Sequence, residues 1–142
     1  MGYDEWERSV PDHVRGDPIW SLRIYRTALY AGELGRGDAV CLAGSPGCGG
    51  VSGQLARATA SISANIAEGY SRRGHKDRGK FFEYALGSAR EARDWYYKAR
   101  EPLGEATMLA RLALMTTVIK MLTVLVAKSR APRGFATRDS RP

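Results

Sequence analysis

The chain has 142 residues, 44% of them hydrophobic and 26% charged, with a formal net charge of +7. That length suits one domain of about 100–150 residues, and the balance is globular, which excludes a chain dominated by disordered polar tracts. No run reaches the ~18 uninterrupted apolar residues of a membrane span, and the acidic stretch from Met1 to Arg15 lacks the apolar block of a secretory signal, so the expected setting is the cytoplasm.

Residues 1–16 are polar and carry Pro11 and Gly16, which predicts an irregular N-terminal segment. Asp17-Pro18 then joins a capping side chain to a proline at the first helical position, where its missing N–H costs nothing. Trp20, Ile24, Ala28 and Ala31 share one stripe, with Leu22, Tyr25 and Leu29 beside it. They predict a first helix of about four to five turns that ends near Gly32 to Gly37. Residues 35–53 read as a glycine-rich loop around Gly44-Ser45-Pro46-Gly47-Cys48-Gly49-Gly50. The lysine and hydroxyl that would make it a phosphate-binding loop do not follow.

Ser52 is placed to cap a second helix running to about Gly69, with Leu55, Thr59, Ile62 and Ile66 on one face. A third helix lies between Gly74 and Pro102, with Asp77 as its expected cap and Phe82, Ala85, Leu86, Ala89, Ala92 and Tyr96 inward. The fourth spans about residues 103–128. There Met108, Leu112, Met115, Ile119, Leu122 and Val126 alternate steps of four and three, the seam of a helix bundle. Residues 129–142, with two prolines and four arginines, predict a basic disordered tail. No strand alternation intervenes, so residues 17–128 predict an all-α, up-and-down four-helix bundle.

Two places depart from a plain bundle. Leu114, Val118, Met121 and Leu125 form a second apolar stripe on the fourth helix. One core needs a stripe of about 100°. A wider arc is covered either by its own chain or by a sibling, and the second reading makes these four residues the interface of a homo-oligomer. At the junction of helices two and three, Asn65 lies at or beside the core face and Glu68 stands four residues before Arg72. A buried amide without partners costs about 1–3 kcal/mol, so Asn65 and Glu68 read as a polar clasp that sets helix register. Ser61, Ala64, Gly87 and Ser88 read as a close approach of two backbones, offsetting the ~1 kcal/mol that Gly87 costs inside a helix.

Catalytic, metal and cofactor residues are not expected. Cys41 and Cys48 have six residues between them, and His13 and His75 lack a second histidine at i+3 or i+4, so no zinc set is assembled. The cysteines read as free thiols. Neither histidine has a glutamate three residues before it, as iron-carboxylate bundles require. A glutamate and an asparagine without a nucleophile or second carboxylate do not make an active site. The chain is read as a non-enzyme without a small-molecule substrate.

The charge is unevenly placed. Residues 52–100 hold ten Lys or Arg against five acids and residues 120–142 hold six against one, whereas residues 1–51 and 101–119 are slightly acidic. Such a field attracts polyanions, nucleic acid before acidic protein, although a merely solvated surface gives the same totals. The candidate nucleic-acid contacts are Arg72, Arg73, Lys76, Arg78 and Lys80 at one bundle end, with Arg90 and Arg93 along helix three. Contacts of this kind are to phosphates, steep in salt and nearly blind to sequence. Tyr70, Tyr84 and Trp95 are read either as stacking platforms for bases or as packing residues. The alternative is a protein-interaction scaffold that docks an acidic partner.

Asn65-Ile66-Ala67-Glu68-Gly69, preceded by Gln54-Leu55-Ala56-Arg57-Ala58 and Ser61-Ile62 and followed by Phe81-Phe82 and Gly87-Ser88-Ala89-Arg90-Glu91, resembles a known family. It is the four-helix-bundle family encoded in intervening sequences of bacterial 23S rRNA genes, also labelled S23, and the likeness runs from about Trp20 to Ala127. The family is similar to the accessory variability determinant of diversity-generating retroelements. That protein is a basic bundle forming a pentameric barrel that works with a reverse transcriptase and its RNA. The resemblance implies a ring-like homopentamer, no enzymatic activity, and RNA and a reverse transcriptase as partners. The glycine-rich first loop and the pair Ala89-Arg90 depart from the family pattern.

Overall fold

A computed structural model describes residues 1–130 and contains seven α-helices among them. They are α1 (Tyr3–Ser9), α2 (Asp12–Arg15), α3 (Arg23–Ala43), α4 (Gly49–Ser71), α5 (His75–Lys98), α6 (Arg100–Leu103) and α7 (Glu105–Arg130). The four long ones, α3, α4, α5 and α7, run alternately up and down, α4 between α3 and α5 and α7 against α5. This is the expected all-α, four-helix arrangement. Its core holds Ile24, Ala28 and Leu42 from α3, Leu55, Ile62 and Ile66 from α4, Phe82, Ala89 and Tyr96 from α5, and Met115, Ile119 and Leu122 from α7. All but Leu42 are inward positions read from the 3.6-residue period.

The helix boundaries differ where glycine was read as punctuation. Helix α3 does not stop at Gly32 to Gly37 but continues to Ala43, burying Ala39 and Leu42. The glycine there is a contact residue: a Cβ on Gly35 would sit 2.2 Å from Thr59 Oγ1, and one on Gly32 3.6 Å from the Thr59 carbonyl. Two backbones therefore meet at a point that side chains would hold apart. The loop expected over residues 35–53 shrinks to Gly44 through Cys48, with Gly47 at φ +78°. Ser52 is not a cap. It sits in the first turns of α4, and its hydroxyl donates to Ala39 O on α3 at 2.6 Å.

Residues 1–16 are helical rather than irregular, in the two short helices α1 and α2. Tyr3, Trp6 and Val10 recur at steps of three and four, and Trp6 and Val10 are buried against the bundle. Trp6 packs its ring 5.2 Å from Tyr30 and 6.2 Å from Trp20, which fixes the arm to α3. Asp17 does cap, accepting from Ile19 N at 2.9 Å, but the turn it caps is a short 3₁₀ segment, Pro18–Ser21. Extended Leu22 separates that turn from α3. Asp77 lies inside the first turn of α5, whose N-cap is Gly74. Ser129 and Arg130 complete α7, so the expected basic tail loses its first two residues to the helix. The remainder, from 131 onward, lies outside the described residues.

Helix α7 is by length and apolar content the one described helix that would suffice to cross a bilayer. In the bundle it buries Met115, Val118, Ile119, Leu122 and Val126. Val118 is thus in its own chain's core, contrary to its reading as an interface residue, because its side chain is fully buried within the monomer. Leu114, Met121 and Leu125 are half-buried against that core. The exposed large apolar side chains of the helix are Leu109 and Val124, each 54% accessible.

Candidate nucleic-acid interface

The alternating helix directions bring the end of α4, the start of α5 and the end of α7 to one end of the bundle. Lys76 and Lys80 of α5 therefore meet Arg130 at the end of α7. An open cleft of about 760 Å³ there is lined by His75, Lys76, Lys80 and Arg130, with Asp77 and Glu83 among the remaining residues. Gly79 allows the approach, since a Cβ there would lie 2.8 Å from Ser129 Oγ. Arg130 pairs with Glu83 across it.

The seven candidate cations do not act alike. Arg73, Lys76, Lys80 and Arg90 are exposed and form no ion pair among the described residues. Arg72 is exposed but engaged: it lies 3.4 Å from Glu68 and its guanidinium stands 4.8 Å over the Phe81 ring. Arg78 is committed to the fold. Its Nε donates to Arg72 O at 2.6 Å and its Nη2 to Tyr70 O at 3.1 Å, so it satisfies carbonyls at the end of α4. Arg93 points to α7 and donates to Thr116 Oγ1 at 3.3 Å. The exposed patch is accordingly Arg72, Arg73, Lys76 and Lys80, with Arg90 about 15 Å further along α5 at 1.5 Å per residue. Of the aromatics, Tyr84 is 49% accessible and sits 5.9 Å from Lys80 Nζ. Trp95 stands near the other end of α5, covered by Lys98 at 4.6 Å.

The clasp is built by other residues than Asn65 and Glu68. Asn65 Nδ2 donates to Ser61 O within α4 at 2.9 Å, and Glu68 pairs with Arg72 near the same helix end. A side-chain hydrogen bond does cross to α5 from Ser61 to Ser88, 2.6 Å between hydroxyl oxygens. Ala64 and Gly87 are exposed, and Gly87 has nothing within 4 Å of a built Cβ, so neither makes the close approach expected of it. Gly69 does: its Cβ would meet Phe82 Cε1 at 2.6 Å.

One buried polar centre gave no signal in the sequence. At the opposite end Asp38 of α3 accepts from Arg111 Nε at 2.6 Å and Nη2 at 3.2 Å, and from the Tyr96 hydroxyl at 2.8 Å. It ties three long helices together. Burial first, and then the Asp38 charge, push the Tyr96 phenol far above its ordinary 10.0, while the hydrogen bond to Asp38 raises Arg111. Cys41 is exposed and Cys48 half-buried, both as free thiols. No cluster of three metal-ligating side chains occurs among the described residues.

An up-and-down helical bundle with an uneven charge distribution is the class these features define. The chain belongs to the 23S rRNA-intervening sequence protein family, whose model matches residues 49–123, from the first turn of α4 into α7. Its fold is similar to the crystal structure of a protein of unknown function from the S23 ribosomal protein family of Bacteroides thetaiotaomicron VPI-5482. That chain is 20% identical, the likeness covers 72% of this chain and 97% of that one, and the TM-score is 0.69. No curated protein matches the sequence.

Proposed function

We propose that the protein is a non-enzymatic nucleic-acid-binding bundle that lays its cationic end against the phosphates of RNA. The observation that carries this is the grouping of cations at one end, with Arg73, Lys76 and Lys80 exposed and Arg130 on the far wall of the cleft. Exposed guanidinium and ammonium groups displace counterions from a phosphate backbone, and Tyr84 beside Lys80 offers an aromatic face to an unpaired base. The resemblance noted above extends this reading to a ring-like homopentamer and to a ribonucleoprotein that includes a reverse transcriptase. A ring repeats the patch and multiplies a weak contact.

Fluorescence titration of the full chain with a structured RNA between 50 and 200 mM salt tests it. Binding is expected to weaken steeply with salt, by about 0.7 to 0.9 log units per log unit of salt for each phosphate neutralised. Arg73→Glu, Lys76→Glu and Lys80→Glu together should cut affinity at least ten-fold and flatten that slope. An unchanged curve overturns the assignment. A partner retained after nuclease treatment, with no RNA affinity, would instead favour the acidic-protein scaffold.

A further inference from the structure

The surface of α7 that points away from the bundle is made of small or apolar residues, Ala106, Ala110, Ala113, Thr117 and Val124, interrupted by Lys120 and Lys128. None of these two lysines' nitrogens forms an ion pair among the described residues. Where α4 lies along α5, small residues leave a shallow groove on the outer surface. Its floor is Ser61 and Ser88, its walls are exposed Ala64 and open Gly87, and its acids are Glu68 and Glu91. Each acid uses one oxygen within its own helix, Glu68 Oε2 toward Arg72 and Glu91 Oε1 toward Trp95 Nε1.

The two surfaces match in height along the bundle. Ser61 is level with Ser88 and Gly69 with Phe82, which registers α4 on α5. Arg93 is level with Thr116 and Gly79 with Ser129, which registers α5 on α7. Counting 1.5 Å per residue from these contacts, Lys120 falls within about 5 Å of the level of Glu91, Val124 within about 5 Å of Ala64 and Gly87, and Lys128 within about 5 Å of Glu68, each less than one helical turn. Rotation about an axis parallel to the helices changes no heights. A neighbour generated that way meets two lysines with two glutamates, and a valine with the one opening between them, without any axial shift.

We propose that α7 of one copy seats in the α4–α5 groove of a second copy, with Lys120 and Lys128 facing Glu91 and Glu68 and Val124 in the gap beside Gly87. The contact is heterologous, one face meeting a different face, and such contacts generate rings when the rotation closes. This rests on the self-association in the function proposed above and assigns the face that receives α7. It differs from pairing α7 with α7, which would leave the groove acids unused.

The test is sedimentation and light scattering on the full chain over a range of concentrations. Wild type should associate. Lys120→Glu with Lys128→Glu should weaken association at least ten-fold, as should Glu68→Lys with Glu91→Lys, and the four changes in one chain should restore it. Gly87→Arg, whose Cβ enters open space in the monomer and which removes a glycine from a helix interior, should disperse the assembly without lowering the melting temperature of the monomer. If wild type associates but neither reversal pair nor Gly87→Arg shifts it, the groove assignment falls and self-association stands. If wild type is a monomer throughout, both fall.

Discussion

The two ends of the bundle hold similar side chains in opposite conditions. At one, Asp38 holds Arg111 through two hydrogen bonds and Tyr96 through a third, with 13% and 21% of the two charged side chains accessible. At the other, Arg73, Lys76 and Lys80 face solvent, and the nearby acids Glu68 and Glu83 are taken up by Arg72 and Arg130. A buried arginine without its carboxylate is costly, whereas a solvated one is nearly neutral for stability and remains available to a ligand. The same residue type is thus a fastening at one end and a contact at the other.

That contrast can be broken most sharply at Asp38. Asp38→Ala leaves Arg111 and the Tyr96 hydroxyl without their acceptor and should cost about 3 kcal/mol in urea unfolding. At this same centre the unfolded chain's Tyr96 ionises near its ordinary 10.0, while the folded one keeps its proton well above it. Its contribution to stability is therefore complete below about pH 10 and declines above it, a fall that Tyr96→Phe should reduce in alkaline unfolding curves. Next in size, Gly35→Ala forces a methyl into Thr59 and should cost about 2 kcal/mol, part of it regained in the double variant with Thr59→Ala. Smaller is Ser88→Ala, which removes the hydroxyl bridge to Ser61 and should cost about 1 kcal/mol by the same measurement. Smallest is Arg73→Gln with Lys80→Gln, expected to move stability by no more than about 0.5 kcal/mol. A large loss there would mean that the cationic end is structural after all.

The helical period makes the core legible: spacing alone turns residues such as Ile62, Phe82, Ala89, Met115 and Leu122 inward, and they are buried. What spacing could not show is what a glycine does. Gly32 and Gly35 look like a helix terminus in sequence, yet the same missing Cβ that permits a turn permits two helices to touch, and only the partner Thr59 decides between them. The N-terminal arm is masked in the sequence because Pro11, Gly16 and the charges outweigh the short repeat Tyr3, Trp6, Val10. In the site, position along the chain brings Arg72, Arg73, Lys76 and Lys80 to one end of the bundle. It could not separate exposed Arg73 from Arg78, whose guanidinium is spent on backbone carbonyls, or from Arg93, which turns to Thr116. Asp38 and Arg111, 73 residues apart, form a pair that no local pattern announces.

The three tryptophans divide between the arm and the far bundle end. Trp6 and Trp20 stand 6.2 Å apart at 36° to each other, close enough for their electronic transitions to couple, whereas Trp95 is isolated under the Lys98 ammonium. Near-ultraviolet circular dichroism should then carry an excitonic signal from the first pair alone, and detachment of the first twenty residues can be timed optically, apart from melting of the long helices.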